Sequence, residues 1–204
     1  MKVHDGDRLQ CGDTVLRFSL VFDHEREALE SAWRSSVRDP LTGIHNRKSL
    51  EERLAGEIAF AVRHHTPLAI ALFDLDHFKR INDTLGHPAG DAVLREVAQR
   101  LQDSIRPEDL LARYGGEEFV VVARGLQIEA GWAMAERLRL LIAARRIDVA
   151  GRILSVSTSV GVACLEDCGA DTTPATLVKV ADRRLYRAKA EGRNCVVAED
   201  APVR

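Results

Sequence analysis

Residues 68–73, Leu-Ala-Ile-Ala-Leu-Phe, are an unbroken apolar run that stops abruptly at Asp74-Leu75-Asp76. Strict alternation would leave one face polar; a continuous run reads instead as a strand covered on both faces. This predicts a sheet with helices on both faces. It also places two acids where a buried strand emerges, a costly arrangement unless something pairs with them. Asp74 is therefore either a strand-end cap or one half of a cation site, and Asp76 is as easily the cap of the following turn.

A second stretch, Leu110–Phe119, runs from apolar residues into Gly115-Gly116-Glu117-Glu118-Phe119. Because Phe119–Ala123 resumes the apolar pattern, the segment reads as a β-hairpin. The glycines open backbone angles closed to other residues and let a ligand approach the main chain. Solvated hairpin acids are the plain reading. A hard cation carrying phosphate oxygens is the alternative, with Asp74, Glu117 and a backbone carbonyl as its protein ligands.

Around these two segments the periodicity predicts a helix over 47–63, with Leu50, Leu54, Ile58 and Ala61 inward. A turn and loop over 77–90 precede a helix from about 89 to 105. Further helices follow near 129–144 and 174–191, with a strand near 154–163 and a short closing strand at 195–198. The order contains a split βαβ motif of the ferredoxin-like kind. The expected fold class is therefore α/β (α+β), with a palm-like, mostly antiparallel sheet flanked by helices. In that arrangement the 68–73 strand neighbours the hairpin, so Asp74 and Glu117 can converge. Lys79, Lys189 and Arg193 are candidate phosphate contacts, although cations at a helix C-terminus also favour the helix dipole without binding anything. No GxxxxGK[ST] loop occurs, which disfavours a P-loop NTPase.

The 204 residues hold one full domain and a small extra piece. Net charge is −2, so no overall field favours nucleic acid, and no apolar run nears the roughly 18 residues of a membrane span. The opening residues lack a signal-peptide core, and Cys11, Cys164, Cys168 and Cys195 lack a zinc pattern. Reduced thiols and a cytoplasmic location follow as expectations. Residues 7–10 and 14–22 read as two short strands, and 23–38 as a connecting helix. The main domain is expected over 39–198, with a tail at 199–204.

Taken in order, Asp39-Pro40-Leu41-Thr42-Gly43 with Asn46-Arg47, Phe73–Lys79 with Ile81-Asn82-Asp83, Gly86-His87, Gly90-Asp91, Gly115–Phe119 and Lys189 with Gly192-Arg193-Asn194 resemble the diguanylate cyclase, or GGDEF, family. The resemblance implies condensation of two GTP molecules into cyclic di-GMP with release of pyrophosphate, using Mg²⁺ or Mn²⁺. It implies that Asp74, the Leu75 carbonyl and Glu117 hold metal and that Glu117 also helps deprotonate the attacking hydroxyl. It further implies that Asn82 and Asp91 read guanine, whose adjacent donors suit a carboxylate. By the same resemblance, the main chain at Phe78 and Lys79 is expected to face phosphates, with Lys189 and Arg193 adding charge and Gly115 and Gly116 making room for the nucleotide. A symmetric product implies a homodimer.

Arg106-Pro107-Glu108-Asp109 matches that family's RxxD inhibitory motif, which implies product binding by Arg106 and Asp109, with Arg137 in a companion patch. A catalytically inactive cyclic di-GMP receptor or dimerisation module is the alternative reading. Asp5–Leu9, Gly12 and Leu16-Arg17-Phe18 resemble the last two strands of a forkhead-associated domain. That resemblance implies a phosphopeptide partner only through a preceding domain.

Overall fold

The computed structural model describes residues 4–17, 36–169 and 172–199. Two compact units divide between Ser36 and Val37. In the smaller, β1 (Arg8–Cys11) pairs antiparallel with β2 (Thr14–Arg17) around a turn in which Gly12 takes φ +62°. The continuation of the second strand to residue 22, and nearly all of the connecting helix expected at 23–38, lie outside the described residues.

The larger unit carries α1 (Arg47–His64), β3 (Leu68–Leu75), α2 (Phe78–Leu85), α3 (His87–Gln102), β4 (Leu110–Gly115), β5 (Glu118–Arg124), α4 (Ile128–Ala144), β6 (Ile147–Val149), β7 (Arg152–Leu154), β8 (Thr158–Cys164), α5 (Pro174–Ala190) and β9 (Val196–Val197). The main sheet has the order β4-β5-β3-β8-β9, antiparallel throughout except for the β8–β9 pair. All eight residues of β3 are buried at its centre, as the unbroken apolar run requires. Leu68, Ile70 and Leu72 join one core with Leu50 and Leu54 of α1 and Leu177, Ala181 and Leu185 of α5. Ala71, Phe73 and Leu75 join the other, with Val93, Val97 and Leu101 of α3 and Leu138 of α4.

Two expectations need correction. Residues 77–90 are not a loop: α2 occupies Phe78–Leu85, whose Phe78, Ile81 and Leu85 lie at helical spacing but over only two turns, and α3 starts at His87 under Pro88. The strand expected near 154–163 starts only at Thr158, because Ala150 and Gly151 take φ +51° and +81° and fold 147–154 into a separate β6–β7 hairpin that ends at Leu154.

The ends of these elements are fixed locally. Asn46 caps α1 by accepting from the Ser49 amide at 2.9 Å, and Thr173 caps α5 in a reciprocal pair with Thr176. Gly161 lets α5 lie directly on β8, since a Cβ there would stand 2.0 Å from the Ala181 carbonyl oxygen. The turn at 38–45 runs beside β4: the His45 amide donates to the Leu111 carbonyl and the Arg113 amide to the His45 carbonyl.

Candidate active site

Asp74 follows Leu72 on the α5 face of β3, and the α5–β8 packing at Gly161 delivers Lys189 to the same point. Lys189 Nζ lies 2.7 Å from Asp74 Oδ2. Across the sheet the register sets Asp74 opposite Glu118, so these two carboxyl groups share a face. Burial holds the Asp74 carboxyl above the usual carboxylate range, against the opposing pull of Lys189. Burial, then the nearby Asp74 charge, does the same to Glu118. Glu117 occupies the hairpin turn, half-buried, and its carbonyl accepts from the Leu75 amide at 3.3 Å. The acid facing Asp74 is thus Glu118, to which the sequence had assigned no role. Its signal was the hairpin length: a two-residue turn at 116–117 makes residue 118 the first to pair with β3.

The hairpin floor is bare. A Cβ on Gly115 would have only Glu118 Oε2 near it, at 3.9 Å, and one on Gly116 would meet nothing within 4 Å. At Gly115, therefore, internal packing does not demand glycine. Gly116 takes φ +46°, which favours glycine for its backbone. Arg113 braces the turn by donating to the Gly116 carbonyl at 2.9 and 2.7 Å, and its remaining nitrogen reaches both Asp39 oxygens at 3.2 Å. Asp39 in turn accepts from the Thr42 amide and hydroxyl. A bulge at Tyr114 separates Arg113 from Gly115 in the ladder.

Asp76 is a structural tie. Its carboxylate accepts from Ser157 Oγ at 2.7 Å, Ser159 Oγ at 2.6 Å and the Asn194 amide at 3.1 Å. Beyond it His77 takes φ +57°, and α2 begins with Phe78 buried and Lys79 exposed. The amides of Phe78 and Lys79 fall in the first helical turn, where they have no partner within the helix. Asn82 lies against Gly90, whose Cβ would be 1.9 Å from Asn82 Oδ1, so Asn82 and Asp91 stand at one α2–α3 junction. At the other end Arg193 is exposed, and its charge reaches Asp74.

Away from this cluster, Asp109 Oδ2 accepts from the Arg106 amide at 3.1 Å, and Asp109 Oδ1 is buried without a hydrogen bond. Burial raises the Asp109 carboxyl, with Arg106 and Arg137 both pulling it down. Arg137 donates to the Ser104 carbonyl at 2.9 Å, so exposed Arg106 and Arg137 flank the half-buried Asp109 in one patch.

No group of three or more His, Cys, Asp or Glu side chains suited to a metal occurs among the described residues. Two hard carboxylates sharing a face suit a divalent cation that takes most of its ligands from phosphate and water. No helix among the described residues is long and apolar enough to cross a membrane.

Residues 36–195 match the family described as diguanylate cyclase, GGDEF domain. The chain is 45% identical over 166 residues to diguanylate cyclase DgcP of Pseudomonas aeruginosa, covering 81% of this chain and 24% of that protein. It is 42% identical over 181 residues to response regulator PleD of Caulobacter vibrioides, covering 88% and 39%. It thus spans well under half the length of either relative. Among solved structures, the coiled coil and GGDEF domain of DgcB from Caulobacter crescentus, in complex with c-di-GMP, matches with a TM-score of 0.79 and 30% identity, over 87% of this chain and 93% of that one. The family match leaves the 8–17 hairpin outside it, and the comparisons lend the forkhead-associated resemblance no support.

Proposed function

The chain belongs to the GGDEF family of diguanylate cyclases, and from that premise we propose that its 39–198 domain condenses two GTP molecules into cyclic di-GMP and two pyrophosphates. The observation that carries this reading is the face shared by Asp74, Glu118 and Lys189 beside the bare Gly115-Gly116 floor. It offers carboxylates for a metal, a cation for phosphate and room for a nucleotide. Asn82 and Asp91, held together by the α2–α3 contact at Gly90, would accept and donate at the guanine edge. The Phe78 and Lys79 amides, with Lys189 and Arg193, would take the phosphate oxygens.

The family is divalent-metal dependent. Asp74, the Leu75 carbonyl, Glu117 and Glu118 are the residues suited to hold Mg²⁺ or Mn²⁺, which when bound supplies charge neutralisation at the phosphates. In the bond-forming step a ribose 3′-oxygen attacks an α-phosphorus. Its proton passes to Glu117 at the hairpin tip, and pyrophosphate leaves; the second step repeats this in the opposite sense and closes the ring. One domain holds one GTP, so two copies must face each other. Arg106, Asp109 and Arg137 would bind the product as an inhibitor. The connecting helix at 23–38 would join this domain to whatever precedes it, in a cytoplasmic protein.

Incubation with GTP, ATP and Mg²⁺, followed by mass analysis, tests the reading directly. Cyclic di-GMP from GTP alone supports it; intact GTP at high protein concentration rejects it and favours a receptor.

A further inference from the structure

Residues 192–194 link α5 to β9 through three successive positive φ angles: Gly192 at +112°, Arg193 at +66° and Asn194 at +47°. Only the first is glycine. An arginine in the left-handed region relaxes elsewhere unless its surroundings hold it there. Two contacts do so. The Asn194 amide donates to Asp76, which Ser157 and Ser159 fix in place. The Asn194 side chain is held from a distant element, because Arg139 Nη1 of α4 donates to Asn194 Oδ1 at 2.6 Å.

Arg139 is built for that task. Its side chain is only 11% exposed, in the row of α4 that carries Ala135, Leu138 and Ile142 into the core. Its Nε and Nη2 fork onto the Glu136 carboxylate at 2.7 and 2.6 Å, which fixes the plane of the guanidinium and aims the remaining nitrogen at Asn194. The Glu136 carboxyl sits below its usual range because Arg139 donates to it. The polar path therefore runs from Glu136 through Arg139 to Asn194, next to the one residue of the loop whose charge reaches Asp74.

We propose that Arg139 is a positioning residue. Acting through Asn194, it holds the 192–194 loop in its left-handed form and so keeps Arg193 directed at the nucleotide's phosphates. This rests on the cyclase reading for the identity of the nucleotide, but not for the geometry. Neither Arg139 nor Glu136 belongs to the metal or guanine sets.

A double-mutant cycle tests it. GTP affinity is measured by calorimetry, and KM and kcat by turnover, for Arg139→Gln, Arg139→Lys, Asn194→Gly and Arg193→Ala, alone and combined. Asn194→Gly keeps a residue at ease with positive φ while removing Oδ1. Arg139→Gln and Asn194→Gly should each weaken GTP binding and raise KM by roughly tenfold with a smaller change in kcat. Arg139→Lys should recover part of the loss. Neither loss should add to that of Arg193→Ala. Additive losses, or unchanged GTP affinity, would overturn the proposal. Should Arg139→Gln fail to fold, Glu136→Gln and Asn194→Gly carry the same comparison. Wild-type protein that binds GTP without turnover would sink the cyclase reading and leave the binding cycle intact; absence of GTP binding would end both.

Discussion

Two carboxyl groups on one face of a sheet, one of them paired with a lysine, mark the candidate site at the level of single residues. Asp74 and Glu118 are both held above the usual carboxylate range. The folded chain therefore binds more protons than the unfolded chain as pH rises past ordinary carboxylate pKa values, and stability falls through that window. At neutral pH the cost is fully present. Glu118 is only half-buried, so solvent screens much of it. Glu118→Gln should raise Tm by about 1–3 °C at neutral pH, and the gain should vanish at low pH, as thermal scans across pH will show. Turnover of the same variant should fall. Asp74→Asn gives up the Lys189 partner along with the charge, so its Tm should hardly move. Its turnover should drop by roughly a thousandfold, read as cyclic di-GMP formed per unit time.

Elements decide whether those residues meet. Gly90 permits α2 to lie on α3, and a methyl group there would collide with Asn82 Oδ1 and press on Phe78. Gly90→Ala should cost about 1–3 kcal/mol in denaturant unfolding and raise KM for GTP more than it lowers kcat. The same scale separates what the sequence displayed from what it concealed. The all-buried β3 was plain because eight apolar or strand-ending residues in a row admit few alternatives. Helices α1, α3, α4 and α5 were plain because each carries a long apolar stripe. Helix α2 escaped because eight residues make barely two turns, with only Phe78 buried. The 147–154 hairpin escaped because Ala150, an ordinary residue, accepts a left-handed turn. Among site residues, Glu118 and Arg113 were hidden for a common reason. Their partners, Asp74 and Asp39, are remote in sequence, and only strand register brings them together. Arg139 was hidden in the same way, since its contact with Asn194 spans 55 positions.

At the scale of the whole molecule, the proposed two-GTP condensation needs twice what a single domain offers. Specific activity should decline on dilution below the dimer dissociation constant, and activity per molecule that stays constant would contradict the pairing. Arg106→Ala, on a patch remote from the Asp74 cluster, should leave the initial rate intact and let product accumulate further before synthesis slows. Progress curves with added cyclic di-GMP will measure the difference. How two copies can approach is constrained by the borders of the main sheet. The 38–45 turn occupies hydrogen-bonding positions on β4 at Leu111 and Arg113, and at the far side β9 is two residues long. Neither border offers a lengthy run of vacant amides onto which a neighbour could zip. The proposed pairing of two copies would then rely on side chains rather than on a shared ladder. Contacts of that kind would let two copies part again without unzipping a sheet.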